Sequence, residues 1–380
     1  MLDFLEADRI FVAQNEARIL DLEAQITALK RSIVLLRASQ EAAEQRLSSY
    51  KYPALTLPNE ISGEIFIHFL PPYPDPPPFV GNLSPMCLTH VCRQWRDIAC
   101  KTPALWRAID VNFDHRLPCS SLDETLTLIA KWSARSGHSP LSIRMAYCRQ
   151  HHSVSMLTPL VPHRARWEHL ALRLANTQPL SLIEGSLPLL KTCSLEFDNP
   201  SSVSDTEFVP LHDIPLLHTA VLDDCRRPHV SLPWFQLTSL TLNYIYSEHC
   251  MSILRQTTCL VNCTLFLSVE YMFPDNEFAD LVLPRLESLV LEMESYPDAN
   301  FFHALISPAL VYLKLPECFL VLDSEPDPIA SLSSFVSRSQ CRLRELHVTE
   351  THLHEHAYRD AFPLISNISV EMADSDFESE

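Results

Sequence analysis

Apolar positions recur with two different periods along this chain of 380 residues. In residues 1–49 they recur every seven positions, and a second series lies three positions after the first. The first series is Leu5, Val12, Ile19, Ile26 and Ile33, and the second is Leu22, Leu29 and Leu36. β-branched residues in the first series and leucine in the second favour a parallel two-stranded coiled coil. Residues 1–49 are therefore predicted to form a coiled-coil helix and a homodimer, the alternative being one amphipathic helix folded onto the rest of the chain.

Two polar features of this segment bear on how it associates. Asn15 falls in the second series, where a buried polar residue can set the register of a coiled coil. Arg18 and Glu23 have the spacing of an ion pair between two parallel helices.

Two short amphipathic helices are predicted between Leu57 and Val111. Pro58 suits the opening turn of the first, because its missing N–H costs nothing there. Ser84 can cap the second ahead of Pro85. The apolar residues of that second helix follow at steps of three and four: Leu88, Val91, Cys92, Trp95, Ile98 and Ala99. A unit of this size cannot bury so many apolar side chains, so we expect a partner protein; a buried hairpin without a partner is the alternative.

The same stretch resembles an F-box. The family pattern is matched by Leu57-Pro58, Glu60, Ile61, Ile65-Phe66, Val91-Cys92, Trp95 and Pro103-Ala104-Leu105-Trp106. The chain departs from it at Gly63 and in a proline-rich insert, 71–82, which lengthens the loop between the helices. The resemblance implies docking onto a Skp-type adaptor and, through it, onto a cullin-RING ubiquitin ligase. The adaptor-binding residues that it implies are Leu57, Pro58, Ile61, Ile65, Val91, Cys92 and Trp95.

A second apolar pattern, apolar-x-x-apolar-x-apolar, recurs through the rest of the chain, and we call each copy of it a phrase. Its members are Trp106-Ile109-Val111, Leu141-Ile143, Trp167-Leu170-Leu172, Leu190-Cys193-Leu195, Leu217-Ala220-Leu222, Leu237-Leu240-Leu242, Leu260-Cys263-Leu265, Leu286-Leu289-Leu291, Leu310-Leu313-Leu315, Leu343-Leu346-Val348 and Ile365-Ile368-Val370. From Leu170 onward the steps are 20 to 27 residues, the range of leucine-rich repeats, apart from one long step of 33 around Asp323 to Arg338. Each phrase predicts a short strand of a curved parallel sheet in a solenoid. Scattered leucines in a globular α/β domain are the alternative.

The run from Ile129 to Ile143 is similar to the first turn of leucine-rich F-box proteins of the fungal kind. Within and just after the strands, outward residues are expected to line the surface that binds a protein client. They are Arg144, Arg173, Glu196, Asp223, Asn243, Phe266 and Glu292. We predict that they form a basic-to-acidic track across the sheet with Phe266 as its anchor.

Composition excludes several classes of function. A net charge of −18 argues against a nucleic acid or an anionic membrane as partner, because both need a basic surface. The four glycines lie far apart, so a phosphate-binding loop and a nucleophile elbow are both absent. The twelve cysteines show no disulfide framework, and the acidic N-terminus does not read as a secretory signal. We therefore expect reduced thiols and a location in the cytoplasm, the nucleus or both.

Two groups of residues are candidate metal ligands. His347, His352, His354 and His356 cluster near the end of the chain. Cys259 and Cys263 are four residues apart, but no second ligand pair has suitable spacing nearby. Neither group predicts a metal site, and we expect no cofactor and no catalytic residues.

The predicted class is α/β, with four segments: a coiled-coil helix (1–49), a helical F-box (53–107), a leucine-rich-repeat solenoid (108–370) and an acidic disordered tail (371–380). The predicted function is that of the substrate-recognition subunit of a Skp-cullin-F-box ubiquitin ligase. An F-box scaffold that delivers no client is the alternative, and an α/β hydrolase is a more distant one.

Overall fold

The computed structural model describes residues 2–49, 53–112, 122–146, 153–175, 177–183, 185–197, 209–211, 213–224, 230–268, 278–293, 299–321 and 327–373. The chain divides into two compact units, residues 1–62 and residues 63–380. Within the described ranges, no helix combines the length and the apolar character that a membrane crossing requires.

The first unit consists mainly of one long helix. Helix α1 runs over Leu2–Ser49 without a break. A 3-10 turn, Pro53–Thr56, and the first residues of helix α2, Asn59–His68, follow it. The carbonyl of Pro58, immediately before α2, accepts from the N–H of Ser62 at 3.0 Å. The boundary between the units falls inside α2.

The second unit holds the remaining helices and all the described strands. Its helices after α2 are α3 (Pro85–Val91), α4 (Arg93–Lys101), α5 (Leu122–Arg135), α6 (Ser153–Leu157), α7 (Ser247–Leu254), α8 (Ala299–His303), α9 (Pro328–Ser339) and α10 (Glu355–Ala361). The 3-10 turns are Pro103–Trp106, Val161–Arg166, Gln178–Ile183, Trp234–Gln236 and Glu317–Leu320. The strands are β1 (Ala108–Asn112), β2 (Leu141–Ala146), β3 (Trp167–Leu174), β4 (Thr192–Phe197), β5 (Val209–Pro210), β6 (Thr219–Asp223), β7 (Val230–Ser231), β8 (Ser239–Tyr246), β9 (Asn262–Ser268), β10 (Leu281–Val282), β11 (Ser288–Met293), β12 (Leu305–Ile306), β13 (Tyr312–Pro316), β14 (Glu345–Thr351) and β15 (Asn367–Met372).

Eleven of these strands form one parallel sheet. Their order is β1-β2-β3-β4-β6-β8-β9-β11-β13-β14-β15, so each strand lies beside the one that precedes it in this series. Each of the eleven apolar phrases supplies one of these strands. The predicted parallel sheet is therefore confirmed. Two short pairs, β5 with β7 and β10 with β12, lie outside it.

The alternation of side chains along each strand explains the sheet. On β4, Cys193, Leu195 and Phe197 are buried, while the residues between them are half-exposed. Successive side chains of a strand point to opposite faces, so the apolar residues of every phrase enter one continuous core. The opposite face of the sheet carries the residues between them, and we call it the outer face.

The longest step between phrases contains an additional helix. The side chain of Asp327 caps α9 by accepting from the N–H of Ile329 at 3.0 Å. Leu332 and Phe335 of α9 are fully buried, and Phe335 stacks on Phe302 with the ring centroids 4.4 Å apart. The extra residues of this step thus contribute to the core.

The C-terminal boundary differs from the prediction. β15 continues through Glu371 and Met372, two residues of the predicted acidic tail. The N–H of Ala373 donates to the carbonyl of Thr351 at 3.0 Å, which explains why the strand continues. Residues 374–380 lie outside the described residues.

Candidate functional site

The second predicted helix is in fact two helices, so that prediction was wrong in detail. The chain breaks at Cys92, whose backbone is fully extended (φ −156°, ψ 172°), between α3 and α4. The Cys92 sulfur accepts from the N–H of Trp95 and so caps α4. At the start of α3, the Ser84 hydroxyl accepts from the N–H of Met86, and Pro85 takes the first helical position as expected.

Side chains from three elements hold these helices together. The Arg96 guanidinium on α4 donates to the carbonyl of Thr89 on α3 at 2.8 Å. Phe66 of α2 packs against Trp95 of α4, with ring centroids 4.9 Å apart. The Trp106 indole N–H donates to the carbonyl of Ala99, at the end of α4.

Gly63 has a clear role in this arrangement. A Cβ atom at this position would lie 3.2 Å from the Oγ1 atom of Thr102. The glycine therefore allows α2 to approach the end of α4 more closely than alanine would.

The predicted adaptor-binding residues differ in exposure. In the second unit, Ile65 is 53% exposed and Val91 is 59% exposed, whereas Cys92 and Trp95 are half-buried. Trp95 is partly covered because it packs against Phe66. In the first unit, Leu57, Pro58 and Ile61 are all exposed.

Two further exposed apolar side chains were not among the predicted site residues. Phe69 follows Ile65 by one helical turn in sequence, and Leu83 precedes the cap of α3. The spacing of Ile61, Ile65 and Phe69 was visible in the sequence, and it could have added Phe69 to the site. Isolated apolar residues on a surface are normal, whereas a contiguous group of them indicates a binding surface.

Comparison with known families agrees with this geometry. Residues 54–112 match the F-box-like family. This F-box-like region covers α2, α3 and α4, the turn Pro103–Trp106 and strand β1. No curated protein matches the chain.

The proline-rich insert of the F-box-like region does more than lengthen a loop. Pro76 and Pro77 are buried, and Phe79 packs edge-on against Trp132 of α5, with centroids 4.9 Å apart. The Ser142 hydroxyl on β2 donates to the carbonyl of Pro74 at 2.7 Å. The insert therefore binds the F-box-like region to the start of the sheet.

Tyr73 adds a polar anchor to the insert. Its hydroxyl donates to Glu168 on β3 at 2.7 Å, and the Arg107 guanidinium lies 3.8 Å from the centre of its ring. Lys191 also donates to Glu168, at 2.6 Å. Burial alone would raise the pKa of Glu168, but the hydrogen bonds from Lys191 and Tyr73 outweigh it and lower that pKa below its ordinary value. Burial, together with the bond to Glu168, raises the pKa of Tyr73.

We predict that Glu168→Gln destabilises the second unit at pH 7 by roughly 1.5–3 kcal/mol, the contribution of hydrogen bonds to a charged group. The folded pKa lies below the ordinary value of 4.5, so the stabilisation is present above that value and is lost as the pH falls through the folded pKa. Denaturant midpoints of the wild type and the variant should therefore converge below pH 4.5. Glu64→Gln, at an exposed carboxylate of α2, is the control. A difference that persists unchanged at low pH would contradict the assignment.

The register of the strands differs in part from the predicted track of client-binding residues on the outer face. Register places Arg173 beside Glu196, Glu196 beside Asp223, and Phe266 between Asn243 and Glu292. Arg144, however, lies beside Ala171 and not beside Arg173. The reason is that Met145, and not Ile143, is the last inward residue of β2 and pairs with Leu172.

Ion pairs between neighbouring strands also contradict the predicted change from basic to acidic side chains across the sheet. Arg144 contacts Asp110 at 3.1 Å, and Arg173 contacts Glu196 at 3.2 Å. Further along the sheet, Lys314 contacts Glu292 at 2.9 Å. Each cation is thus matched by a carboxylate on a neighbouring strand, and the predicted gradient of charge is wrong.

An aromatic pair stands out on the outer face. Tyr244 lies at a register shift between β8 and β9, with a left-handed backbone (φ 56°) that is uncommon for a residue other than glycine. Its ring centroid lies 4.5 Å from that of Phe266. The sequence signal was present, because the inward residues Leu240 and Leu242 are followed by Ile245, one position late for strict alternation.

The described residues offer little else for chemistry. Among them, no group of three or more histidines, cysteines or acidic residues could hold a metal ion. The nine cysteines in these ranges are free thiols. Burial raises the pKa of Cys193 and of Cys263 to about 12, so neither is activated as a nucleophile.

Proposed function

We propose that this protein is the substrate-recognition subunit of a Skp-cullin-F-box ubiquitin ligase in the cytoplasm or the nucleus. The observation that carries the proposal is the F-box-like match at 54–112, in a region that exposes Ile65 and Val91. The adaptor would cover these apolar side chains, and burial of each contributes roughly 1.5–3 kcal/mol. The protein itself would do no chemistry; it would hold a client's lysine near the conjugating enzyme.

The sheet supports a role in binding a client. Its eleven strands in chain order, each with the same apolar phrase, are typical of a leucine-rich-repeat solenoid. Such repeats present a long continuous surface to partners. The insert that fixes the F-box-like region to β2 and β3 would keep that surface at a constant position relative to the ligase.

The test is purification of the tagged full-length protein from cells that contain the adaptor and the cullin. We expect both to co-purify, and a co-purifying client to accumulate when the gene is removed. Loss of the adaptor from the purified material would contradict the F-box role. Adaptor binding without accumulation of any client would favour the scaffold.

The aromatic pair predicts where a client is held. Large aromatic side chains dominate binding energy, whereas exposed charges mostly affect the rate of association. We expect Phe266→Ala and Tyr244→Ala each to weaken client binding roughly tenfold or more. Arg144→Ala should have a smaller effect, because that side chain is half-exposed and paired with Asp110.

The measurement is titration of the purified client into each variant. Adaptor binding should be unchanged in all three variants, which serves as the control for folding. Equal effects of Phe266→Ala and Arg144→Ala would remove the aromatic anchor from the proposal.

A further inference from the structure

Helix α1 exposes its large apolar side chains from Leu5 to Leu47. From Leu5 to Ser49 every side chain is exposed except Ala43, which is half-buried. Ile26, at the middle of the heptad series, is 50% exposed. An uninterrupted helix of 48 residues with this pattern is a surface for another helix.

The heptad letters follow from the two apolar series. The first series is position a, and the second is position d. Three polar residues interrupt this seam: Asp8 and Asn15 at d, and Gln40 at a. The residues after each d, position e, carry a charge in every heptad from Arg9 onward: Arg9, Glu16, Glu23, Lys30, Arg37 and Glu44.

An antiparallel pairing with a second copy, centred between Thr27 and Ala28, matches the seam over residues 12–43 and leaves one mismatch, Asp8 opposite the partner's Leu47. It packs Ile26 against the partner's Leu29, Ile19 against the partner's Leu36, and Ile33 against the partner's Leu22. It also places Gln40 opposite the partner's Asn15, so the two polar residues near the middle of each arm meet. Within one chain the Gln40 amide donates to Glu44 at 2.9 Å, and its second hydrogen remains for Asn15.

The same register pairs every charge at position e with an opposite charge. Arg9 meets the partner's Glu44, Glu16 meets the partner's Arg37, and Glu23 meets the partner's Lys30. The two members of each pair are offset by two residues, about 3 Å along the axis, which long side chains span easily. In the described part of the single chain, none of these six side chains takes part in an ion pair.

A parallel pairing makes poorer use of these charges. It places Asp8 opposite the partner's Asp8, two like charges in the seam. In a parallel dimer, a residue at position g flanks the partner's residue at position e of the next heptad. Only one such pair has opposite charges, Arg18 with the partner's Glu23. Charges at these flanking positions set the orientation of coiled coils.

We propose that α1 is an antiparallel dimerisation helix that pairs with a second copy of this chain. The register is centred between Thr27 and Ala28, and the alternating charges at position e select the orientation. This inference rests on α1 alone and does not depend on the ligase role.

Two charge-reversal variants of the full-length chain separate the orientations. The first is Arg9→Glu, Lys30→Glu, Arg37→Glu, at three e positions. The second is Arg18→Glu, Arg31→Glu, Arg46→Glu, which changes the net charge equally but lies at positions f and g. In the antiparallel dimer, only the first variant turns attractive pairs into repulsive ones. In a parallel dimer, only the second does, through Arg18.

The measurement is sedimentation equilibrium, with circular dichroism to compare the helix content of the variants. We expect a wild-type dimer, a second variant that dimerises like the wild type, and a first variant whose dissociation constant rises on the order of 100-fold. The opposite order of the two variants would establish a parallel dimer and overturn the proposal. A wild type that stays monomeric at about 100 μM, or that forms trimers, would overturn it as well.

Mixing provides a rescue that a folding defect cannot imitate. The variant Glu16→Lys, Glu23→Lys, Glu44→Lys should also fail to pair with itself. Mixed in equal amounts with the first variant, it should restore a dimer of wild-type affinity, because every e-position pair is again opposite in sign. If the mixture stays monomeric while both variants remain helical, the proposed register is wrong.

Discussion

Trp106→Ala is expected to lower the free energy of unfolding of the second unit by about 3–5 kcal/mol, the usual cost of removing a buried tryptophan. Trp106 is fully buried where the F-box-like region meets the sheet. Its ring packs edge-on against Trp132, with centroids 5.4 Å apart, and the Arg135 guanidinium lies 4.4 Å from its centre. Alanine would leave a cavity between α4 and α5, and it would remove the donor to the carbonyl of Ala99.

Denaturant unfolding followed by circular dichroism measures the loss. Trp106→Phe keeps one aromatic ring but removes the hydrogen bond, which contributes about 0.5–1.5 kcal/mol, together with the atoms of the second ring, so its loss should lie between that of the hydrogen bond and that of Trp106→Ala. Phe235→Ala is the matched control: that ring is 61% exposed, so its removal should change the free energy of unfolding by less than about 0.5 kcal/mol. If Trp106→Ala behaves like this control, the junction does not depend on the tryptophan.

Ile65→Asp combined with Val91→Asp should weaken adaptor binding at least roughly 100-fold while leaving the protein folded. Both side chains are more than half exposed, so a charge there meets water in the free protein. In a complex with the adaptor, each carboxylate would be buried without a partner, at a cost of several kcal/mol.

Leu364→Asp is the control for this pair, because its side chain is 93% exposed and lies before β15, outside the F-box-like region. Calorimetric titration with purified adaptor gives the dissociation constants, and unfolding midpoints report on the fold. Wild-type affinity in the double variant would show that the adaptor binds to another surface of the protein.

The strands could be predicted from sequence because each phrase ends in two apolar residues separated by one position and places leucine or a similar residue inward. Features of the fold that depend on a single residue could not be predicted from the sequence. The apolar spacing of α3 and α4 runs through Cys92 unchanged, so nothing in the period marks the break that its extended backbone makes. At β2 the predicted phrase ends at Ile143, whereas the inward residues of the strand continue to Met145, so the predicted position of Arg144 is wrong.

Contacts between distant segments were also beyond the sequence. A proline-rich stretch favours a loop, and its burial against Trp132 depends on where α5 comes to lie. The ion pairs of the outer face join neighbouring strands and depend on register, which the period alone does not fix. Among the predicted adaptor-binding residues, Trp95 on α4 is partly buried because Phe66 on α2 packs against it, a contact that the sequence does not show.

The order of the strands also determines how the protein can form during synthesis. Each strand of the main sheet pairs with the one made just before it, so no strand has to wait for a distant partner to leave the ribosome. At ~5–20 residues per second, a new repeat of about 25 residues emerges every few seconds, which is long compared with local folding times. The nascent chain can therefore add its strands one at a time onto the F-box-like region, and at each step the newest strand forms the growing edge of the sheet.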